Sequence, residues 1–193
     1  MRNETALDVS GVWQPRMQQQ LFRGLLQAFS YPGRIAACAD HGAPAWLAVL
    51  AALVDGETTL ADPQKMLDEA WWPKLEARSA SPEQAAFILL DGSYAPELNP
   101  RLGTLEAPEA GATLLLRVDS LHADAGGELN LRLNGPGILQ QVALGVSGLH
   151  PAWISARNVW VENFPLGIEM VLCDENRFVA LPRTTRIVMG DAA

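Results

Sequence analysis

Apolar and polar positions along the chain follow two periods, and the change between them marks out its elements. Over residues 16–30, Met17, Leu21, Leu25 and Ala28 form one stripe, with Phe22, Leu26 and Phe29 beside it. Arg16, Gln20, Arg23 and Gln27 form the opposite stripe, so a helix is predicted, begun by Pro15. Tyr31-Pro32-Gly33 stops it, and a short strand is predicted over 34–38. Residues 43–54 are apolar almost all round, which predicts a buried helix. After the Asp55-Gly56 turn, Thr58-Thr59-Leu60 reads as a strand start. Asp62-Pro63 then predicts an N-cap and a first-turn proline, opening a helix that runs to Trp71. Residues 85–90 form an unbroken apolar strand, and the stretch around Pro96 and Pro100 reads as a short helix or irregular.

The second half is strand-rich. Residues 113–118 and 128–133 read as strands around a Gly126-Gly127 loop, the second with Leu129, Leu131 and Leu133 on one side and Asn130 and Arg132 on the other. Residues 150–163 predict a helix carrying Trp153 and Trp160. Two strands, 168–173 and 177–181, flank a turn at Asp174-Glu175-Asn176. Strands mixed with helices throughout predict an α/β class, with a central sheet covered by helices on both faces.

Composition narrows the functional classes. A chain of 193 residues with 49% hydrophobic types has ample material for a core and fits one domain, residues 1–193. A net charge of −8 argues against non-specific binding to nucleic acid or anionic membrane, both of which need a positive field. The longest apolar run, 43–54, falls short of the ~20 residues a membrane span needs. With no signal peptide evident in Met1-Arg2-Asn3-Glu4-Thr5, a cytoplasmic protein is expected. Cys38 and Cys173 form no CxxC pair and are expected to be buried thiols. Of the 14 basic residues only Lys65 and Lys74 are lysines. Coding bias explains most of the arginine excess.

Several chemistries lack their motif. There is no GxxxxGK[ST] and no GxSxG, and Gly135-Pro136-Gly137 does not complete a dinucleotide-binding turn. His41, His122 and His150 occur singly, so no metal site is expected. Neither lysine sits in a Gly/Ser-flanked loop after a strand, which disfavours pyridoxal chemistry. Trp46 and Trp153 read as core, whereas Trp71-Trp72 should leave at least one ring exposed.

Three polar constellations remain. Leu181-Pro182-Arg183-Thr184-Thr185-Arg186 brings guanidinium forks and hydroxyls out of a strand end together, suited either to a phosphate or phosphonate oxygen or to pairing with local carboxylates. Ala107-Pro108-Glu109-Ala110-Gly111-Ala112 puts Glu109 in a tight turn, as an acid, a base, an Arg partner or a turn-stabilising carboxylate. In Asn163-Phe164-Pro165-Leu166-Gly167-Ile168-Glu169, Phe164 and Leu166 either anchor a partner or seat the loop entering a strand.

The strings Phe164-Pro165-Leu166-Gly167-Ile168-Glu169 and Leu181-Pro182-Arg183-Thr184-Thr185 resemble the PhnH family, the H subunit of the bacterial carbon–phosphorus lyase system. Phe22-Arg23 with Leu25-Leu26 and residues 30–33 fits the family's first helix and its stop, and residues 107–118 fit its central turn and strand. Leu131-Arg132-Leu133 through Gly135, Gly137 and Ile138 completes five segments in register. The resemblance implies a three-layer α/β/α sandwich with a mixed central sheet, similar to the PLP-dependent transferase fold but without PLP, and no other cofactor. It implies a homodimer in isolation and assembly with the G, I and J subunits. The implied role lies in phosphonate catabolism, where G, H, I and L proteins support displacement of adenine from ATP by methylphosphonate. A binding and assembly subunit is expected, with no catalytic residue assigned. The alternative is a subunit with its own anion site at Arg183, Thr184, Thr185 and Arg132, with Glu109 as base or orienting group.

Overall fold

The computed structural model describes residues 10–38 and 42–190; the N-terminal segment 1–5 and His41 lie outside them. A 3-10 turn, Ser10–Trp13, leads into α1 (Pro15–Ser30). Leu21, Leu25 and Ala28 of α1 are buried as its stripe predicts, while Phe22 and Leu26 are exposed. The predicted strand after it is two residues long, β1 (Ala36–Ala37). α2 (Ala45–Leu53) is buried from Ala45 to Leu50, as an all-round apolar helix must be.

A seven-stranded mixed sheet runs through the centre, in the order β1-β10-β9-β5-β4-β2-β3. Its members are β2 (Thr59–Ala61), β3 (Arg78–Ser79), β4 (Phe87–Asp91), β5 (Thr113–Arg117), β9 (Glu169–Cys173) and β10 (Arg177–Leu181), with β1 at one edge. From β3 to β9 the neighbours are parallel; β9–β10 and β10–β1 are antiparallel. The central strands are covered on both faces, which is why 85–90 and 113–118 read as continuous apolar runs rather than alternating ones. Successive residues enter different cores. Leu89, Leu115, Val171 and Phe178 pack with α1 and α2, while Ile88, Leu90, Leu114, Leu116, Met170 and Leu172 pack on the other side.

That second side differs from the expectation of helices on both faces. It is covered by a four-stranded antiparallel sheet, β11-β7-β8-β6, together with α4 (Ala152–Trp160). The sheet comprises β6 (Ser120–His122), β7 (Leu129–Asn134), β8 (Val142–Ser147) and β11 (Arg186–Met189), of which only β7 was predicted. Leu131 and Leu133 of β7 face the core and Arg132 faces out, as the alternation requires.

The helix predicted over 62–71 is not formed. Asp62 accepts hydrogen bonds from the Met66 and Leu67 amides at 2.9 and 2.8 Å, and Asp68 accepts one from Ala70 at 2.8 Å. Short carboxylates bonding nearby amides compete with a helix ladder, and Lys65 takes φ 54°, outside the helical region. Only α3 (Trp72–Leu75) follows. Neither Trp71 nor Trp72 is fully exposed: both pack against the core cluster of α1 and α2, Trp71 with its ring 5.6 Å from that of Trp46 between centroids.

Candidate functional site

β10 ends at Leu181, opposite Met170 near the start of β9, so the Pro182–Thr185 turn sits at the N-terminal edge of the parallel strands. α4 runs from the opposite edge, where the His150 amide donates to Gly92 O, and brings its last turn against Gly167. Two segments distant in sequence thereby meet beside the turn.

Arg183 ties this edge together. Its amide donates to Glu169 Oε2 at 2.8 Å and its Nε to Glu169 Oε1 at 2.6 Å. Nη1 donates to the carbonyls of Pro108 and Pro165 at 2.7 and 2.9 Å. One guanidinium thus holds β9, the Pro108–Ala110 3-10 turn and the loop before β9 in a single arrangement. Gly111 makes room for it: a Cβ there would lie 2.1 Å from Gly167 O and 3.0 Å from Arg183 Nη2. Of the two roles open to Arg183 in the sequence, these bonds display carboxylate pairing.

An open cleft of about 600 Å³ lies between α4 and this turn. Arg183, Thr184 and Thr185 line it; Arg132 and Glu109 do not. Arg132 stands on the outward side of β7, opposite Val188 of β11, and Glu109 is exposed on its turn, where the neighbouring Pro108 carbonyl makes the bond to Arg183.

Sequence reading missed the most buried cation of the cleft, Arg157, which is 0% exposed. Its Nη2 donates to Pro182 O at 2.5 Å and its Nη1 to Asn158 Oδ1 at 3.4 Å, while Nε has no partner among the described residues. Burial pushes its guanidinium down to about 10, against the opposing pull of the Glu169 carboxylate. Thr185 is 1% exposed and its Oγ1 also has no partner among the described residues. The available signal was spacing: Arg157 lies four residues after Trp153 and three before Trp160, on the apolar face of α4, and those rings pack at 6.5 Å.

Other chemistries have little footing. Cys38 and Cys173 are buried with no disulfide between them, and burial pushes Cys38 up to about 12 and raises Cys173, so neither resembles an activated thiolate. Lys65 sits on an exposed turn, and Lys74 Nζ lies 5.2 Å from the centre of the Trp13 ring. Among the described residues no group of three or more His, Cys, Asp or Glu is placed to hold a metal, and no helix is long and apolar enough to cross a membrane.

Residues 11–188 match the family model described as bacterial phosphonate metabolism protein (PhnH). A putative C-P lyase subunit protein, HtxG, of Stutzerimonas stutzeri is 44% identical over 198 aligned residues, covering the whole of both chains. The alpha-D-ribose 1-methylphosphonate 5-triphosphate synthase subunit PhnH of Rhizobium meliloti (strain 1021) is 28% identical over 195, covering 88% of this chain and 89% of that one.

Proposed function

This chain belongs to the PhnH family of bacterial phosphonate metabolism proteins, and we propose that it acts as a binding and assembly subunit of a carbon–phosphorus lyase complex. One observation carries the reading: similarity to a putative C-P lyase subunit extends over the full length of both chains. The buried bonding of Arg183 supports it, because that residue's Nε and Nη1 donors are spent inside the fold. In this reading residues 1–193 form one domain, dimeric in isolation and cytoplasmic, and the partners are the G, I and J subunits. The complex would transfer ribose triphosphate from ATP to a phosphonate such as methylphosphonate, this subunit needing no cofactor and not being catalytic alone. Likeness to the pyridoxal-dependent transferase fold belongs to the same proposal, supported by the parallel run β3-β2-β4-β5-β9. Mixing the purified chain with G, I and J tests it: co-elution is expected, and separate elution at micromolar concentration overturns it.

A second reading gives the subunit its own phosphonate or nucleotide anion site at Arg183, Thr184, Thr185 and Arg132, with Glu109 alongside. The shared cleft of residues 183–185 favours it. Arg183→Ala should then abolish growth on phosphonate while co-elution with the other subunits persists; loss of co-elution returns Arg183 to a structural role.

A further inference from the structure

We propose that the cleft between α4 and the β10–β11 turn binds a phosphoryl or phosphonyl group carried on an apolar body, with Arg157 and Thr185 at its base. This rests on the second reading above and moves its centre from Arg183 to Arg157.

The observation behind it is a charge without a counter-ion. Arg157 is fully buried, yet among the described residues it forms no ion pair, and Glu169, the carboxylate that acts on it, is bonded to Arg183. A buried cation without a counter-ion costs several kcal/mol, on the order of its desolvation, which the bonds to Pro182 O and Asn158 Oδ1 offset only in part. The guanidinium nevertheless stays charged at neutral pH with its pKa near 10. Its Nε–H and the Thr185 hydroxyl, both without partners among the described residues, belong to side chains lining the same cleft. Arg186 adds an exposed cation, and Glu162 is the one carboxylate among the lining residues. The locality is therefore positive on a chain of net charge −8.

The donors belong to two elements, α4 and the turn. Guanidinium and hydroxyl groups from two directions suit the three oxygens of a tetrahedral group better than the two of a carboxylate. Val161, Phe164 and Ile187 supply apolar wall, and Phe164 is 66% exposed, leaving its ring available to stack. A volume of about 600 Å³ lies within the range of small-molecule sites.

Titration calorimetry on the full-length protein with phenyl phosphate, phenylphosphonate, inorganic phosphate and benzoate tests this. Phenyl phosphate and phenylphosphonate should both bind saturably, about tenfold tighter than benzoate and about fivefold tighter than inorganic phosphate. Any preference between them distinguishes the phosphate source from the phosphonate one. Arg157→Met, which replaces the charge by an apolar side chain of similar length, should weaken them at least about tenfold. Thr185→Val preserves shape and should cost about fivefold, which keeps the test decisive if Arg157→Met fails to fold. Phe164→Ala should remove only the advantage over inorganic phosphate. Benzoate binding as tightly as phenyl phosphate and phenylphosphonate overturns the proposal, as does wild-type affinity in Thr185→Val. If affinity instead falls only with Arg132→Gln, the second reading stands and this placement fails; if no probe binds, both fail.

Discussion

The two ends of the central sheet use arginine in opposite ways. At the C-terminal edge of the parallel strands, Arg117 pairs with Asp91 and Arg177 with Asp174, the arginine side chains being 52% and 43% exposed and their carboxylates 15% and 5%. At the N-terminal edge Arg183 pairs with Glu169 at 11% and 23% exposure, and Arg157 has no ion partner among the described residues. An arginine that stays in water gains little from its carboxylate, whereas a buried one fixes geometry and suffers when its partner is lost. Open parallel sheets commonly bind ligands beyond their C-terminal strand ends. Here the buried cations mark the other end.

The largest expected contrast comes from Glu169→Ala, which strands the Arg183 guanidinium against two carbonyls. A loss of about 3 kcal/mol is expected, read as a lower urea midpoint at unchanged slope. Gly111→Ala strikes the same edge through backbone, since its Cβ would meet Gly167 O at 2.1 Å. It should lower stability by about 1–3 kcal/mol, and near-neutral behaviour in thermal unfolding would show that the strut tolerates displacement. Arg117→Gln at the opposite edge should change the urea midpoint by less than about 1 kcal/mol. An effect as large as that of Glu169→Ala would erase the distinction between the edges. The smallest effect concerns acid. Burial draws the Asp91 carboxyl up, but bonds from Ser93 and the Arg117 charge hold it below its ordinary 3.8. The folded carboxyl thus binds its proton less readily than the unfolded one. Its contribution is whole above that ordinary value and fades as pH falls through the lowered one. Asp91→Asn should slightly flatten the stability–pH curve there.

Legibility in the sequence followed the range of the forces involved. The α1 stripe and the apolar runs of β4 and β5 report burial residue by residue, so they were readable. β11 was not: it pairs with β7 more than fifty residues earlier, and Arg186-Ile187-Val188-Met189 carries no alternation of its own. The 62–71 segment carried a sound N-cap signal, but the Asp62 carboxylate reaches the amides of Met66 and Leu67, beyond the first helical turn. For the site, the cluster 183–185 was visible because it is contiguous. Its acidic partner, Glu169, and its buried neighbour, Arg157, arrive from other elements, and only the fold brings them near.

The strand order carries a consequence for biosynthesis. Ala36 pairs with Phe178, and β7 gains its outer neighbour only when β11 arrives. The central sheet therefore stays open at one side until residues 177–181 are made, and the second sheet until residues 186–189 are made. Such long-range closure folds slowly and leaves strand edges bare meanwhile. A ribosome-tethered chain released only to residue 181 should remain protease-sensitive, and protection should appear once residue 189 is clear of the exit tunnel. During synthesis, the arrival of residues 177–189 decides whether the strands made before them are shielded from aggregation.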